Sequence, residues 1–149
     1  MSVVEVSEVI DAPWEAVWAV VADPRNLPRW DHRISEVNGV PETGLDRGTE
    51  YMTAVKFMGA TAHTSAKVLE LDPGRYSKVE LRGLVDGTVE TWLEPLNGDR
   101  TRLRHRVSFR FKGGPLGELA ARAVGVLGAR TLLRKGIQAQ KRQVEDPDR

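Results

Sequence analysis

Between Ile34 and Lys112 apolar and polar residues alternate with a period of two, and turn-forming residues interrupt the alternation at short intervals. Gly44, Gly48, Gly59, Pro73-Gly74, Gly83 with Asp86-Gly87, and Asn97-Gly98 mark the breaks. They delimit six strands, near residues 34–40, 49–58, 61–72, 76–83, 87–96 and 100–112. Strands joined by turns this short pair antiparallel with their neighbours, because a parallel crossover needs about a dozen residues or more. Ser2–Ile10 alternates too, with Val4, Val6 and Glu8 on one side and Val3, Glu5, Ser7 and Val9 on the other, and Asp11 ends the run. The chain therefore carries seven strands.

The strand at 100–112 separates its two faces most clearly. Leu103, His105, Val107, Phe109 and Phe111 share one face, and Arg102, Arg104, Arg106, Ser108, Arg110 and Lys112 share the other. A sheet built this way has one dry side and one wet side. The dry side needs a cover, and the last segment supplies it. Gly113-Gly114-Pro115 breaks the strand, after which Leu116, Leu119, Ala123, Val126, Leu127, Leu133, Ile137 and Val144 recur at helical steps. One helix from Leu116 to about Val144 would be about 40 Å long, enough to run the length of the sheet. Gly117, Gly125, Gly128 and Gly136 interrupt it, each costing ~0.5–1 kcal/mol relative to alanine. Such glycines leave room for a ligand or allow helix and sheet to pack closely. Two shorter helical pieces follow the first strand. Pro13 opens one that carries Trp14, Val17, Trp18 and Val21 at helical spacing, and Asp23-Pro24 stops it. Pro24–Trp30 has room for a single turn.

Composition narrows the class. At 149 residues the chain fits one domain, expected over residues 1–144 with a polar tail at 145–149. No cysteine is present, so disulfide and thiolate chemistry are excluded. The first twenty residues contain no Lys or Arg and do not resemble a signal peptide. No apolar run approaches the ~20 residues of a membrane span, and the expectation is a cytoplasmic protein. Net charge is +1, but residues 1–74 hold 6 basic and 12 acidic side chains and the remainder 16 and 9. Two halves interleaved in one fold attract one another with that distribution, and it also suits the steering of a charged partner.

The order of elements, together with Ile10-Asp11-Ala12-Pro13, Val17-Trp18, Asp23-Pro24, Leu27-Pro28-Arg29-Trp30, Gly48-Thr49, Leu71-Asp72-Pro73, Gly98-Asp99-Arg100-Thr101-Arg102-Leu103 and Gly113-Gly114-Pro115-Leu116-Gly117, resembles the SRPBCC (START/Bet v 1-like) superfamily, and within it the polyketide cyclase/dehydrase and lipid-transport branch. The resemblance spans essentially the whole chain. It implies an α+β helix-grip fold: a curved, seven-stranded antiparallel sheet around a long C-terminal helix, with two short helices after strand 1. It also implies a deep cavity between sheet and helix. Strand parity then assigns Tyr51, Thr53, Val55, Phe57, Val79, Leu81, Thr91, Leu93, Leu103, His105 and Val107 to the cavity side. Leu119, Ala123 and Val126 come from the helix, and Trp30 closes one end.

His105 is the strongest chemical candidate, since it is the one strongly polar residue on the dry face of its strand. Two roles are open to it. It is a general acid or base near neutral pH, with Tyr51 as the only catalytic partner on offer, or a structural histidine bonded to a neighbouring strand or to Tyr51. The second is favoured, because the inner face offers no second convincing ionisable group. His32 lies in a loop near the expected cavity mouth, and His63 shares the parity of Lys67 and faces water. Three histidines on three elements lack ligand spacing, which argues against a metal site; no phosphate loop or GxSxG elbow is present, and no cofactor is expected. Trp92 falls on the outer parity with Leu69 and Met52, a grouping that would form an apolar patch suited to a homodimer contact. The basic stripe of strand 100–112 would suit an acidic partner protein, but without interleaved aromatics it is a poor nucleic-acid platform, and Glu90 and Glu94 are positioned to neutralise it.

The sequence thus favours a carrier or sensor that binds a small apolar molecule, such as a lipid, an isoprenoid or an aromatic or polyketide-like metabolite. The alternatives are a cyclase/aromatase-type enzyme using His105 and an interaction module using the basic face.

Overall fold

The computed structural model describes residues 2–57, 59–83, 85–111 and 113–147. Seven strands form one antiparallel sheet: β1 (Ser2–Ile10), β2 (Ile34–Asn38), β3 (Glu50–Phe57), β4 (Ala60–Asp72), β5 (Tyr76–Arg82), β6 (Val85–Leu96) and β7 (Arg100–Phe111). Their order across the sheet is β1-β7-β6-β5-β4-β3-β2. β2 to β7 thus run as an uninterrupted meander, and β1 adds to its far edge against β7. The helix-grip architecture is the one expected. β6 begins two residues before the expected position, because Val85 and Asp86 already pair with Phe111 and Arg110.

Helix α1 (Trp14–Val21) starts after Pro13, whose extended backbone (φ −69°, ψ 158°) suits a residue just before the first turn. Asp23 then caps a 3-10 turn at Pro24–Asn26 by accepting the N–H of Arg25, and α2 (Leu27–Trp30) completes a single α turn. Both prolines of this stretch sit in a first turn, where a missing N–H breaks no helical bond.

Helix α3 (Pro115–Glu145) covers the dry face, but it is not one straight rod. Gly125 has φ 59° and ψ −175°, which breaks the helix into two pieces. That backbone region is open to glycine alone among common residues. Gly125 therefore serves neither ligand space nor close packing; it makes the kink. Gly136, in contrast, is helical and faces α2. A Cβ there would meet only the carbonyl oxygen of Trp30, at 3.9 Å.

The core sits at the α1 end of the sheet. Val6, Ile10, Val17, Leu93, Leu103 and Ile137 form one buried cluster, with Trp18, Val21, Leu133 and Val144 packed against it. The C-terminal end of α3 is pinned to β1. Lys141 Nζ donates to the carbonyl of Val9 at 2.9 Å, and Glu145 Oε2 accepts the N–H of Asp11 at 2.7 Å. Glu145 was expected in the polar tail but is the last helical residue and one of these pins. Among the described residues no helix is long and apolar enough to cross a membrane.

Candidate functional site

A cavity of about 780 Å³ lies between the inner face of the sheet and α3. That is within the ~300–1,000 Å³ typical of small-molecule sites. Its wall alternates along each strand as a half-buried sheet requires: Tyr51, Thr53 and Val55 from β3, Thr64, Ala66 and Val68 from β4, Val79 and Leu81 from β5, Val89 and Thr91 from β6, and Val107 and Phe109 from β7. The helix contributes Ala129, Leu132, Leu133, Gly136, Ile137 and Gln140. Trp30 and Arg33 join the lining from the α2 side, and Val40, Glu42, Thr43 and Leu45 from the β2–β3 loop.

The positions expected from parity divide into three groups. Trp30, Tyr51, Thr53, Val55, Val79, Leu81, Thr91, His105 and Val107 all line the cavity. Leu93 and Leu103 face inward as expected but do not reach the space, because α1 and Ile137 fill that end and bury them at 5% and 0% exposure. The side chains of Phe57, Leu119, Ala123 and Val126 lie outside the described residues, as does Lys112 of the basic stripe.

Three polar groups of the cavity wall stand in one row. Ser77, Thr91 and His105 are direct cross-strand neighbours on β5, β6 and β7. Thr91 Oγ1 lies 2.9 Å from His105 Nδ1, and His105 Nε2 lies 2.7 Å from Gln140 Oε1. An amide oxygen can only accept, so the proton sits on Nε2 and donates to Gln140. Nδ1 is then bare and accepts the Thr91 hydroxyl. Burial pushes the His105 pKa below its ordinary value, opposed by the bond to Gln140. The imidazole is therefore neutral, with both nitrogens engaged. Its partners are a threonine on the neighbouring strand and a glutamine on the helix, not Tyr51. Burial also pushes the Tyr51 hydroxyl up to about 12, so it too is held protonated.

Among the described residues, the charged side chains of the lining all come from the segment Asp23 to Glu42. Arg25 Nε donates to Asp23 Oδ1 at 2.8 Å, and this bond holds the Asp23 carboxyl below its ordinary range. Arg33 grips Asp31 in a two-pronged pair at 3.0 and 2.7 Å. Burial raises the Asp31 pKa, but the bonds from the Arg33 side chain and backbone outweigh it and hold the carboxyl low. Trp30 is fixed from behind: its indole N–H donates to Gln143 Oε1 at 2.9 Å.

His32 and His63 are both exposed and neither lines the cavity, although His32 sits between the lining residues Asp31 and Arg33 near its mouth, as expected. Among the described residues no group of three His, Asp or Glu is placed to hold a metal ion.

On the outer face, Trp92 does not form the expected patch with Leu69 and Met52. Its cross-strand neighbours are Tyr76 and Arg104, and the Arg104 guanidinium stacks over its ring at 4.2 Å. Met52 instead pairs with Asn38 and Ser65, nearer the other edge of the sheet. The basic stripe is largely paired. Arg102 meets Glu94 at 3.1 Å, and Arg104 and Arg106 converge on Glu5 at 3.5 and 3.1 Å. Glu90, expected to neutralise an arginine, accepts the Tyr76 hydroxyl instead.

Gln140 escaped the sequence reading, as did Ser77 and Thr64. A signal for Gln140 existed. It falls on the stripe Leu133, Ile137, Gln140, Val144, where a polar residue interrupts an otherwise apolar series at helical spacing.

Comparison with known proteins agrees with this architecture. The family model described as polyketide cyclase/dehydrase and lipid transport matches residues 1–145. No curated protein matches the sequence. Among solved structures, a START superfamily protein from Mycobacterium smegmatis aligns with TM-score 0.75 at 17% identity, covering 97% of this chain and 98% of that one. The Zhui aromatase/cyclase from a Streptomyces species aligns with TM-score 0.70 at 19% identity, covering 99% and 98%. A protein from Thermus thermophilus gives TM-score 0.78 at 14% identity, covering 99% and 100%. At these identities the likeness is one of fold.

Proposed function

The chain belongs to the polyketide cyclase/dehydrase and lipid-transport family, and we propose that it binds a small, predominantly apolar molecule in the cavity between sheet and α3, as a carrier or sensor. The observation that carries this reading is the cavity itself. Its volume of about 780 Å³ is large for a protein interior, where close packing leaves few voids larger than a water molecule. Apolar side chains, chiefly valine, leucine and alanine, make up most of the wall, with a few hydroxyl and amide groups to orient a guest.

The acid–base alternative draws support from the fold shared with an aromatase/cyclase. It asks His105 to exchange a proton with substrate, however, while Thr91 and Gln140 occupy both ring nitrogens and burial disfavours the cation. Binding asks nothing of that kind. The basic outer face is a weaker basis for an interaction module, because Arg102, Arg104 and Arg106 already have acidic or aromatic partners in the chain.

Native mass spectrometry of freshly purified protein tests the proposal. The expected result is a co-purifying mass that organic extraction removes. Ligand at 100 times its dissociation constant should add ~2.7 kcal/mol of stability, readable as a raised melting temperature. Empty preparations together with no thermal shift across a lipid and aromatic library would remove the proposal.

A further inference from the structure

Gln140 is 6% exposed and Tyr51 8% exposed, and both line the cavity. Gln140 spends its Oε1 on His105, and its Nε2 has no hydrogen-bond partner among the described residues. The Tyr51 hydroxyl has none either. Every side-chain nitrogen or oxygen sealed from solvent among those residues does have a partner. The two unpaired groups are therefore open to the cavity space rather than shut inside the wall.

From this geometry we infer that Gln140 selects the ligand: its amide N–H donates to an acceptor oxygen on a neutral, otherwise apolar guest, such as a ketone, quinone or ester. This deepens the carrier or sensor reading and rests on it. Three observations converge. First, the orientation of the amide is fixed by neighbours in the cavity wall. Thr91 donates to His105 Nδ1, which leaves the proton on Nε2, which in turn holds Gln140 Oε1 and turns the NH₂ toward the guest. Thr91 and His105 are thus positioning residues. Second, an amide N–H₂ is a donor only, so its complement is an acceptor. Third, the charged groups of the lining belong to the segment from Asp23 to Glu42, and the arginines among them are engaged by Asp23 and Asp31. A carboxylate carried to Gln140 would find neutral His105 and no counter-ion, and burying an unpaired charge is strongly unfavourable. A carbonyl meets no such penalty.

The test uses a shape-matched pair of probes, fluorenone and fluorene, which differ at one position by a carbonyl in place of a methylene. Affinities of both are measured by fluorescence displacement for the full-length protein and for Gln140→Leu. A single neutral hydrogen bond corresponds to about a three- to tenfold change in affinity. The expected result is that the ketone-to-hydrocarbon affinity ratio falls by about that factor in Gln140→Leu, while fluorene binding is kept. An unchanged ratio, with both probes still bound, overturns the assignment to Gln140 and leaves the cavity reading standing. Failure of the native protein to bind either probe counts against the cavity reading, and the inference falls with it. Should Gln140→Leu fold poorly, the infrared carbonyl band of bound fluorenone decides the matter in the native protein and in Tyr51→Phe. A band lowered from its position in hexane in both proteins supports Gln140 as the donor. A band that returns to the hexane position in Tyr51→Phe assigns the bond to Tyr51 and overturns the inference.

Discussion

The indole of Trp30 donates to Gln143 Oε1 at 2.9 Å, and Gln143 in turn donates its own amide hydrogen to Asn26 Oδ1 at 3.2 Å. Asn26 completes the chain by donating to the carbonyl of Val20 at 3.0 Å. One glutamine on α3 thereby ties down the segment that carries Trp30 into the cavity lining. Replacing Gln143 with leucine removes two of these bonds and leaves the indole N–H unpaired. The expected loss is ~1–3 kcal/mol, measured as a lower urea midpoint with unchanged slope.

The buried, neutral His105 makes stability depend on pH with a defined sign. Its folded pKa lies below the ordinary value of 6.5, so the unfolded chain binds the proton more readily. Stability is therefore full above about pH 6.5 and falls as the solution is acidified below it, by at most ~1.4 kcal/mol per pH unit for this one group. Urea titrations from pH 8 down to pH 5 should show the decline. His105→Gln, which cannot protonate, should decline less over the same interval, and parallel curves would contradict the assignment.

Two glycines of α3 should respond in opposite directions to alanine. At Gly125 the positive φ and extended ψ make a Cβ strained, and Gly125→Ala should cost ~1–3 kcal/mol. At Gly136 the backbone is helical and the nearest atom to a new Cβ is 3.9 Å away. Gly136→Ala should then gain up to ~1 kcal/mol from helix propensity while intruding on the cavity. Thermal denaturation gives the stabilities, and titration with a bulky apolar probe reads the lost space.

On the wet face, Arg104 screens Trp92 from water. Arg104→Ala should cost ~0.5–1 kcal/mol, the range of an exposed cation–π contact. In a double-mutant cycle with Trp92→Leu the two effects should be non-additive. Additivity would mean that the stacking contributes nothing.

Period-two alternation made the sheet legible because each strand has a dry and a wet side, and Tyr51, Thr53, Val79 and Thr91 could be turned inward from charges of the opposite parity on the same strands, such as Lys56, Lys78, Glu80 and Glu90. Parity does not tell how far along the strand the cover extends. Leu93 and Leu103 share the inner face with Thr91 and His105, yet packing against α1 and Ile137 takes them out of the cavity. Gln140 went unnoticed for a related reason. A glutamine on a helix is usually solvated, and only the closure of α3 over His105 makes this one buried. The outer patch failed because Leu69 sits at a register shift between Val68 and Glu70, and because cross-strand neighbours are not visible without the pairing. Gly125 was legible as an oddity but not as a kink, since composition does not reveal ψ.

The pairing of β1 with β7 joins Ser2 to Phe109, whereas each strand of the meander from β2 to β7 meets its sequence neighbour. Contacts so distant along the chain close late, because the entropy of a long loop must be overcome before they contribute. The meander can assemble locally, but β1 must wait for β7, and α3 docks on β1 through Val9 and Asp11. During synthesis the first strand is therefore made long before it has a partner, and the container exists only once the last helix has left the ribosome.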